Sequence, residues 1–152
     1  MPNYAQESSL DSALTTVGFD AATIAQDTSL QLAIAAASAA DDRKGADITL
    51  LRVAHISTLA DYFVIVTGFS KAQVRAIAGS IKDKVEEELH RLPTRTEGQS
   101  EGSWTLQDYG DVIVHILMPQ EREFYNLEAF WGHAERVDFA AIDQRAQVSP
   151  SV

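Results

Sequence analysis

The sequence predicts an α/β fold, a two-layer domain with helices packed on a mixed sheet, and three stretches carry that prediction. Phe63-Val64-Ile65-Val66-Thr67 is an apolar, β-branched run of the kind that suits a strand buried on both faces. Val74, Ile77, Ala78, Ile81, Val85 and Leu89 trace one stripe at helical period. Ser103–Gln107 and Val112–Leu117 are β-type runs joined by the tight turn Asp108-Tyr109-Gly110-Asp111, a hairpin signal.

In chain order, residues 1–28 are rich in Ser, Thr, Ala and acid and read as a loosely ordered acidic arm with a helical turn or two. The domain itself is expected over 29–139. It opens with a helix: Thr28 and Gln31 have capping-box spacing, Leu30, Ala33, Ile34 and Ala37 share a face, and Gly45 stands at a natural stop. Asp47–Val53 reads as a strand, followed by the buried run at 63–67, which Gly68 breaks. Ser70 and Gln73 form a second capping box for the long helix, which ends near His90-Arg91 and Pro93. Gly-containing loops follow, then the hairpin. Pro119 starts a last helical segment through Phe124, Tyr125, Leu127 and Trp131. Residues 140–152 read as a flexible tail.

The formal charge of −10 is unevenly spread. Residues 1–42 hold six acids and no Lys or Arg, 43–92 hold eight basic residues and six acids, and 93–143 hold three basic residues and ten acids. Such a balance argues against a chain that wraps or reads nucleic acid, because neutralising phosphates takes clustered Lys and Arg. It leaves a basic protein open as a partner. The absence of cysteine excludes disulfides, thiolate zinc sites and Cys nucleophiles. The acidic start is the opposite of a transit peptide, and no apolar run approaches the roughly 18–20 residues of a membrane span. A cytoplasmic location, away from membranes, is expected.

Few constellations suggest chemistry. His55, His90, His115 and His133 are scattered, and none stands four residues from another, so no metal site is expected. Gly68-Phe69-Ser70 between a strand and a helix start could cradle an anion, which keeps a nucleotide-binding or nucleotidyltransferase-type enzyme as the alternative reading. No strand, however, carries the paired carboxylates that would hold Mg²⁺. Asp108 and Asp111 have no Ser-His pair nearby in sequence to act with. Trp104 and Tyr109 on a Gly-rimmed hairpin, with Glu97, Glu101, Asp108 and Asp111 around them, have the makeup of a hot spot for a basic protein. Trp104 alternates with Leu106, so a core role is equally open. Arg122, Tyr125, Glu128 and Trp131 fall near helical spacing, as core packing or as a dimer or partner contact.

Taken in series, Gly45-Ala46-Asp47-Ile48, Ser57 to Asp61-Tyr62-Phe63-Val64-Ile65, Thr67-Gly68-x-Ser70-x-x-Gln73, Glu97-Gly98 then Trp104, Asp108-Tyr109-Gly110-Asp111-Val112-Ile113-Val114-His115, Arg122-x-x-Tyr125 and Leu127-Glu128-x-x-Trp131 resemble the ribosomal silencing factor family, also called Iojap-related. The resemblance covers roughly 29–139. It implies a non-enzymatic translational repressor with no cofactor. Such a protein binds the large ribosomal subunit through large-subunit ribosomal protein fourteen and blocks joining of the small subunit. It further implies a nucleotidyltransferase-like fold without catalytic carboxylates, and a homodimer when free. Carried over by motif, Trp104, Asp108, Tyr109 and Asp111 become the expected ribosomal-protein contact. Arg122, Tyr125 and Trp131 become expected dimer or partner contacts.

Overall fold

The long helix after Gly68 forms as α3 (Lys71–Leu89), with its cap where the residues place it. Ser70 Oγ accepts from the Gln73 amide at 3.0 Å, and Gln73 Oε1 accepts from the Phe69 amide at 2.7 Å. Two amides that lack intrahelical partners are thereby satisfied by side chains. Val74, Ile77, Ile81 and Val85 are fully buried, as the stripe requires. The structure, a computed structural model, describes residues 16–17, 21–139 and 142.

The helix before it, α2 (Thr28–Asp42), is capped one residue earlier than expected. Asp27 Oδ1 accepts from the Leu30 amide at 2.9 Å, while its Oδ2 accepts from the Tyr62 hydroxyl at 2.8 Å. One carboxylate thus serves both the helix and the sheet, which the single oxygen of Thr28 could not do. Gln31 turns away and donates to the carbonyls of Ile24 and Ala25, closing the end of a short helix α1 (Ala21–Gln26). Burial of α2 is far wider than a single stripe: Leu30, Leu32, Ala33, Ala36, Ala37, Ala39 and Ala40 are all fully buried, because α2 lies against the sheet, α1 and α3 together. Lys44, not Gly45, takes the left-handed backbone after the helix, with φ 62°. Gly45 is needed for space, since a Cβ there would lie 2.6 Å from Val66 Cγ1.

The strands are β1 (Thr16–Val17), β2 (Ala46–Arg52), β3 (Tyr62–Thr67), β4 (Arg95–Glu97), β5 (Trp104–Asp108), β6 (Val112–Leu117) and β7 (Glu135–Val137). They form one seven-stranded sheet in the order β1-β7-β2-β3-β6-β5-β4. The β3–β6 and β1–β7 pairs are parallel and the others antiparallel, so the sheet is mixed. Every position of central β3 is buried, and β5 and β6 form the expected hairpin.

Period-two alternation divides the side chains between two faces. Leu50, Tyr62, Val64, Val66, Val112, Val114 and Ile116 meet α2 and α3. Leu51, Val53, Phe63, Ile65 and Leu117 form a smaller cluster on the other face. That face lies beneath α4 (Pro119–Tyr125) and α5 (Leu127–Phe130), two short helices where one segment was expected. Asn126 separates them with a left-handed backbone, φ 46°, a conformation Asn tolerates better than most residues. Helix α1 lies inside the stretch expected as an arm, and Ile142, beyond the expected end of the domain, is buried in the core. Residues 1–15, 18–20, 140–141 and 143–152 of the two terminal stretches fall outside the described residues.

Candidate functional site

Trp104 opens β5 and stands across the ladder from Leu117, on the sheet face away from α2 and α3. Its Nε1 donates to His115 Nδ1 at 3.3 Å. That bond requires a neutral imidazole with a free Nδ1 lone pair. Burial supplies it, pushing the His115 pKa down to about 4.

Around this pair the rings continue in a row. Tyr125 lies 4.7 Å from Trp104, centroid to centroid, and Phe124 meets Tyr125 edge to face at 4.9 Å. On the other side Phe63 meets His115 at 5.4 Å and Trp131 at 5.1 Å, and Phe130 meets Trp131 at 5.3 Å. Edge-to-face and tilted contacts of this kind are favoured by the ring quadrupoles. The middle of the row is core: Phe63 is 4% exposed and His115 7%. Its ends face solvent, with Phe124 and Phe130 each 78% exposed and Tyr125 52%.

At the Tyr125 end the rings floor a groove of about 650 Å³. Trp104, Leu106, Phe124 and Tyr125 give its apolar surface, Glu97, Glu101 and Glu121 its charge, and no Lys or Arg lines it. Gly98 holds one wall with φ 81°, and a Cβ there would run into the Trp104 carbonyl. An apolar floor under an acidic rim is chemically suited to an apolar anchor flanked by Lys or Arg.

The hairpin turn does not line this groove, and burial corrects the expectation for Tyr109. Residues 104, 106 and 108 face one way and 105, 107 and 109 the other, so Tyr109 points into the core under α2 and α3 at 2% exposure. Desolvation pushes its pKa up to about 12, and its hydroxyl finds no hydrogen-bond partner among the described residues. Asp111 accepts from both Arg91 nitrogens, at 2.7 and 3.0 Å, and from Ser29 Oγ at 2.7 Å. Desolvation would raise its pKa, but the hydrogen bonds from Arg91 and Ser29 outweigh it and hold the carboxyl below its ordinary value. Asp108 accepts from the Gly110 amide at 2.8 Å and from Arg95 at 3.2 Å. Both carboxylates are occupied in shaping the turn.

The three residues expected at a dimer or partner contact separate likewise. Arg122 is an internal brace: it is 11% exposed, donates twice to Glu128 at 3.0 and 2.9 Å, and reaches Thr67 Oγ1 at 2.8 Å and Thr49 Oγ1 at 3.1 Å. Trp131 packs against Phe63 and remains half-buried. Tyr125 alone of the three presents a largely open ring. Phe124 and Glu121, which the hot-spot reading missed, complete the groove; the signal was a Glu-rich, aromatic helix starting right after β6.

Gly68-Phe69-Ser70 serves the backbone. A Cβ at Gly68 would lie 2.9 Å from Val74 Cγ2, and Ser70 is taken up by the α3 cap. Among the described residues no three His, Cys, Asp or Glu gather as a ligand set, and no helix is long and apolar enough to cross a membrane.

Comparison with known proteins places these features in a family. A family profile described as "Ribosomal silencing factor during starvation" matches residues 26–151. The chain is 46% identical over 103 residues to a ribosomal silencing factor of Bacillus subtilis, covering 68% of this chain and 86% of that one. It is 39% identical over 116 residues to the chloroplastic protein Iojap of Zea mays, covering 76% of this chain and 50% of that protein. A crystal structure of a Chromobacterium violaceum protein superposes with a TM-score of 0.65 at 36% identity, covering 67% of this chain and 84% of that one.

Proposed function

Because the chain belongs to the ribosomal silencing factor family, we propose that it represses translation by occupying the large ribosomal subunit through large-subunit ribosomal protein fourteen and blocking the small subunit from joining. The observation that supports this most is the groove of Trp104, Phe124 and Tyr125 rimmed by Glu97, Glu101 and Glu121. A ribosomal protein that lies on RNA is commonly basic, and this rim would draw it in and speed encounter. No bond is made or broken. Repression is a competition for one surface, and an interface of roughly 800 Å² on each partner suffices where a few aromatic anchors are buried.

In this reading Phe124 and Tyr125 are the anchors, Trp104 is the half-buried floor that positions Tyr125, and Asp108, Tyr109 and Asp111 keep the hairpin in shape. The free chain pairs with a second copy and works in the cytoplasm; sedimentation velocity of the free chain tests the pairing. Co-sedimentation with purified large subunits tests the central claim. The chain is expected to pellet with them at low salt and to be excluded from joined ribosomes, and failure to pellet would sink the proposal.

A further inference from the structure

The acidic groove has a counterpart on the other side of the same hairpin. Seven ion pairs engage Arg52, Lys84, Arg91, Arg95 and Arg122 among the described residues. Among the described residues Arg43, Lys44, Lys71, Arg75, Lys82 and Arg136 make none, and all six are exposed. Two of them stand in the loop after α2, three along α3 and one on β7. Gln73 donates to the carbonyls of Arg43 and Lys44 at 3.2 and 3.0 Å, which fastens that loop to the start of α3. Lys71, Arg75 and Lys82, at spacings of four and seven, follow one stripe of α3. From Lys71 to Lys82 the helix carries no carboxylate; its acids begin at Asp83. A protein of net charge −10 therefore presents a local stripe of three cations outside any ion pair among the described residues.

Beside that stripe, between α3 and β4–β5, runs a groove of about 200 Å³. Arg75 and Lys82 edge it, Thr96, Gln99, Thr105 and Gln107 give it a polar lining, and no acid lines it. Gln107 Nε2 donates to the Ala78 carbonyl at 2.9 Å, but its Oε1 accepts nothing from the described residues. An acidic peptide could answer that oxygen only through a backbone N–H, because its carboxylates, the groups the cations would draw in, are acceptors only. A ribose brings a 2′-hydroxyl that donates and accepts, next to a phosphate that needs cations.

We propose that the Lys71–Arg75–Lys82 stripe and its groove form a second contact with the large subunit, holding the phosphate–ribose backbone of its RNA. Contacts of this kind position a protein and read no sequence. The aromatic groove and the basic groove lie on opposite faces of β4–β5, so a subunit surface made of protein and RNA can engage both. This inference rests on the reading that the chain binds the large subunit.

The test uses the full chain and a variant carrying Lys71→Gln, Arg75→Gln and Lys82→Gln, all surface positions, with circular dichroism as the folding check. Should the triple variant misfold, Arg75→Gln and Lys82→Gln singly take its place. In one arm a fluorescein-labelled RNA duplex of sixteen base pairs is titrated at several salt concentrations. Wild type is expected to bind at low salt, and the triple variant to bind at least about tenfold more weakly. The slope of log affinity against log salt should shrink by about 0.9 for each phosphate that is no longer neutralised, so by between two and three. No binding by wild type, or an equal slope for both proteins, overturns the proposal. In the second arm both proteins are pelleted with large subunits. Weaker pelleting by the variant, together with duplex binding by wild type, supports the RNA contact. Weaker pelleting without duplex binding assigns the stripe to an acidic protein and overturns it. If wild type does not pellet at all, the family-level reading is what fails, and the duplex arm alone decides this one.

Discussion

The sheet face under α2 and α3 is aliphatic and closed, whereas the face under α4 and α5 is aromatic and open at both ends. On the closed face Leu30, Val64, Val66, Ile77, Ile81 and Ile116 have no solvent exposure, and alanines let α2 approach closely. On the open face a ring row runs from exposed Phe124 through buried His115 and Phe63 to exposed Phe130. The difference teaches that a residue's face and its place along the row, more than its type, separate holding the fold from meeting a partner. Tyr109 and Tyr125 both stand in the family-like motifs, yet one is 2% and the other 52% exposed.

The largest effects should come from the centre of each face, where the two are alike. Phe63→Ala is expected to cost about 3–5 kcal/mol and Ile81→Ala about 2–5 kcal/mol in urea unfolding, through reduced burial and the cavity left behind. A destabilisation below about 1 kcal/mol at Phe63 would show that the aromatic cluster is no true core.

Next comes a difference that acid should reveal. His115 is held near pKa 4 when folded, against 6.5 ordinarily, so an unfolded chain takes up the proton first as pH falls. Its contribution is intact above pH 6.5 and is lost from there down through 4, a loss of roughly 3 kcal/mol. Urea unfolding at pH 7 and pH 4.5 measures it, and His115→Phe should flatten that interval. Asp111, held low by Arg91 and Ser29, adds an acid loss that begins in the ordinary carboxylate range, as the unfolded carboxyl protonates, and continues below it.

Phe124→Ala sharpens the contrast at the rim. Stability should change by less than about 0.5 kcal/mol, while affinity for large subunits falls by about 2 kcal/mol, near 30-fold. The smallest effect is expected from Glu97→Gln with Glu121→Gln, which should slow association severalfold and weaken its salt dependence with little change in dissociation. Stopped-flow mixing with subunits measures both rates.

Much of this division was legible in the sequence. The run at 63–67 announced a strand buried on both sides, and the stripe from Val74 to Val85 announced α3, because both patterns are set by local period. Parity separates position 104 from 109, so the exclusion of Tyr109 from the groove was readable once β5 was fixed. What escaped depends on distant partners. β4 and β7 are three residues each and exist through pairing with β5 and β2. Asp27 outcompetes Thr28 as a cap because it also accepts from Tyr62, thirty-five positions away. Arg122 reads as an interface arginine until Thr49, Thr67 and Glu128 are seen to enclose it. Net charge misled in a similar way, since Lys71, Arg75 and Lys82 share one stripe of α3 beside a groove without acids, which a sum over the chain hides.

The most direct measurement is a subunit-joining assay on sucrose gradients, comparing wild type with a chain carrying Phe124→Ala and Tyr125→Ala. Wild type should hold purified large and small subunits apart. The double variant should unfold in urea as wild type does and yet let joined ribosomes form. A well-folded double variant that blocks joining as effectively as wild type would contradict the assignment of the open aromatic face to the ribosome.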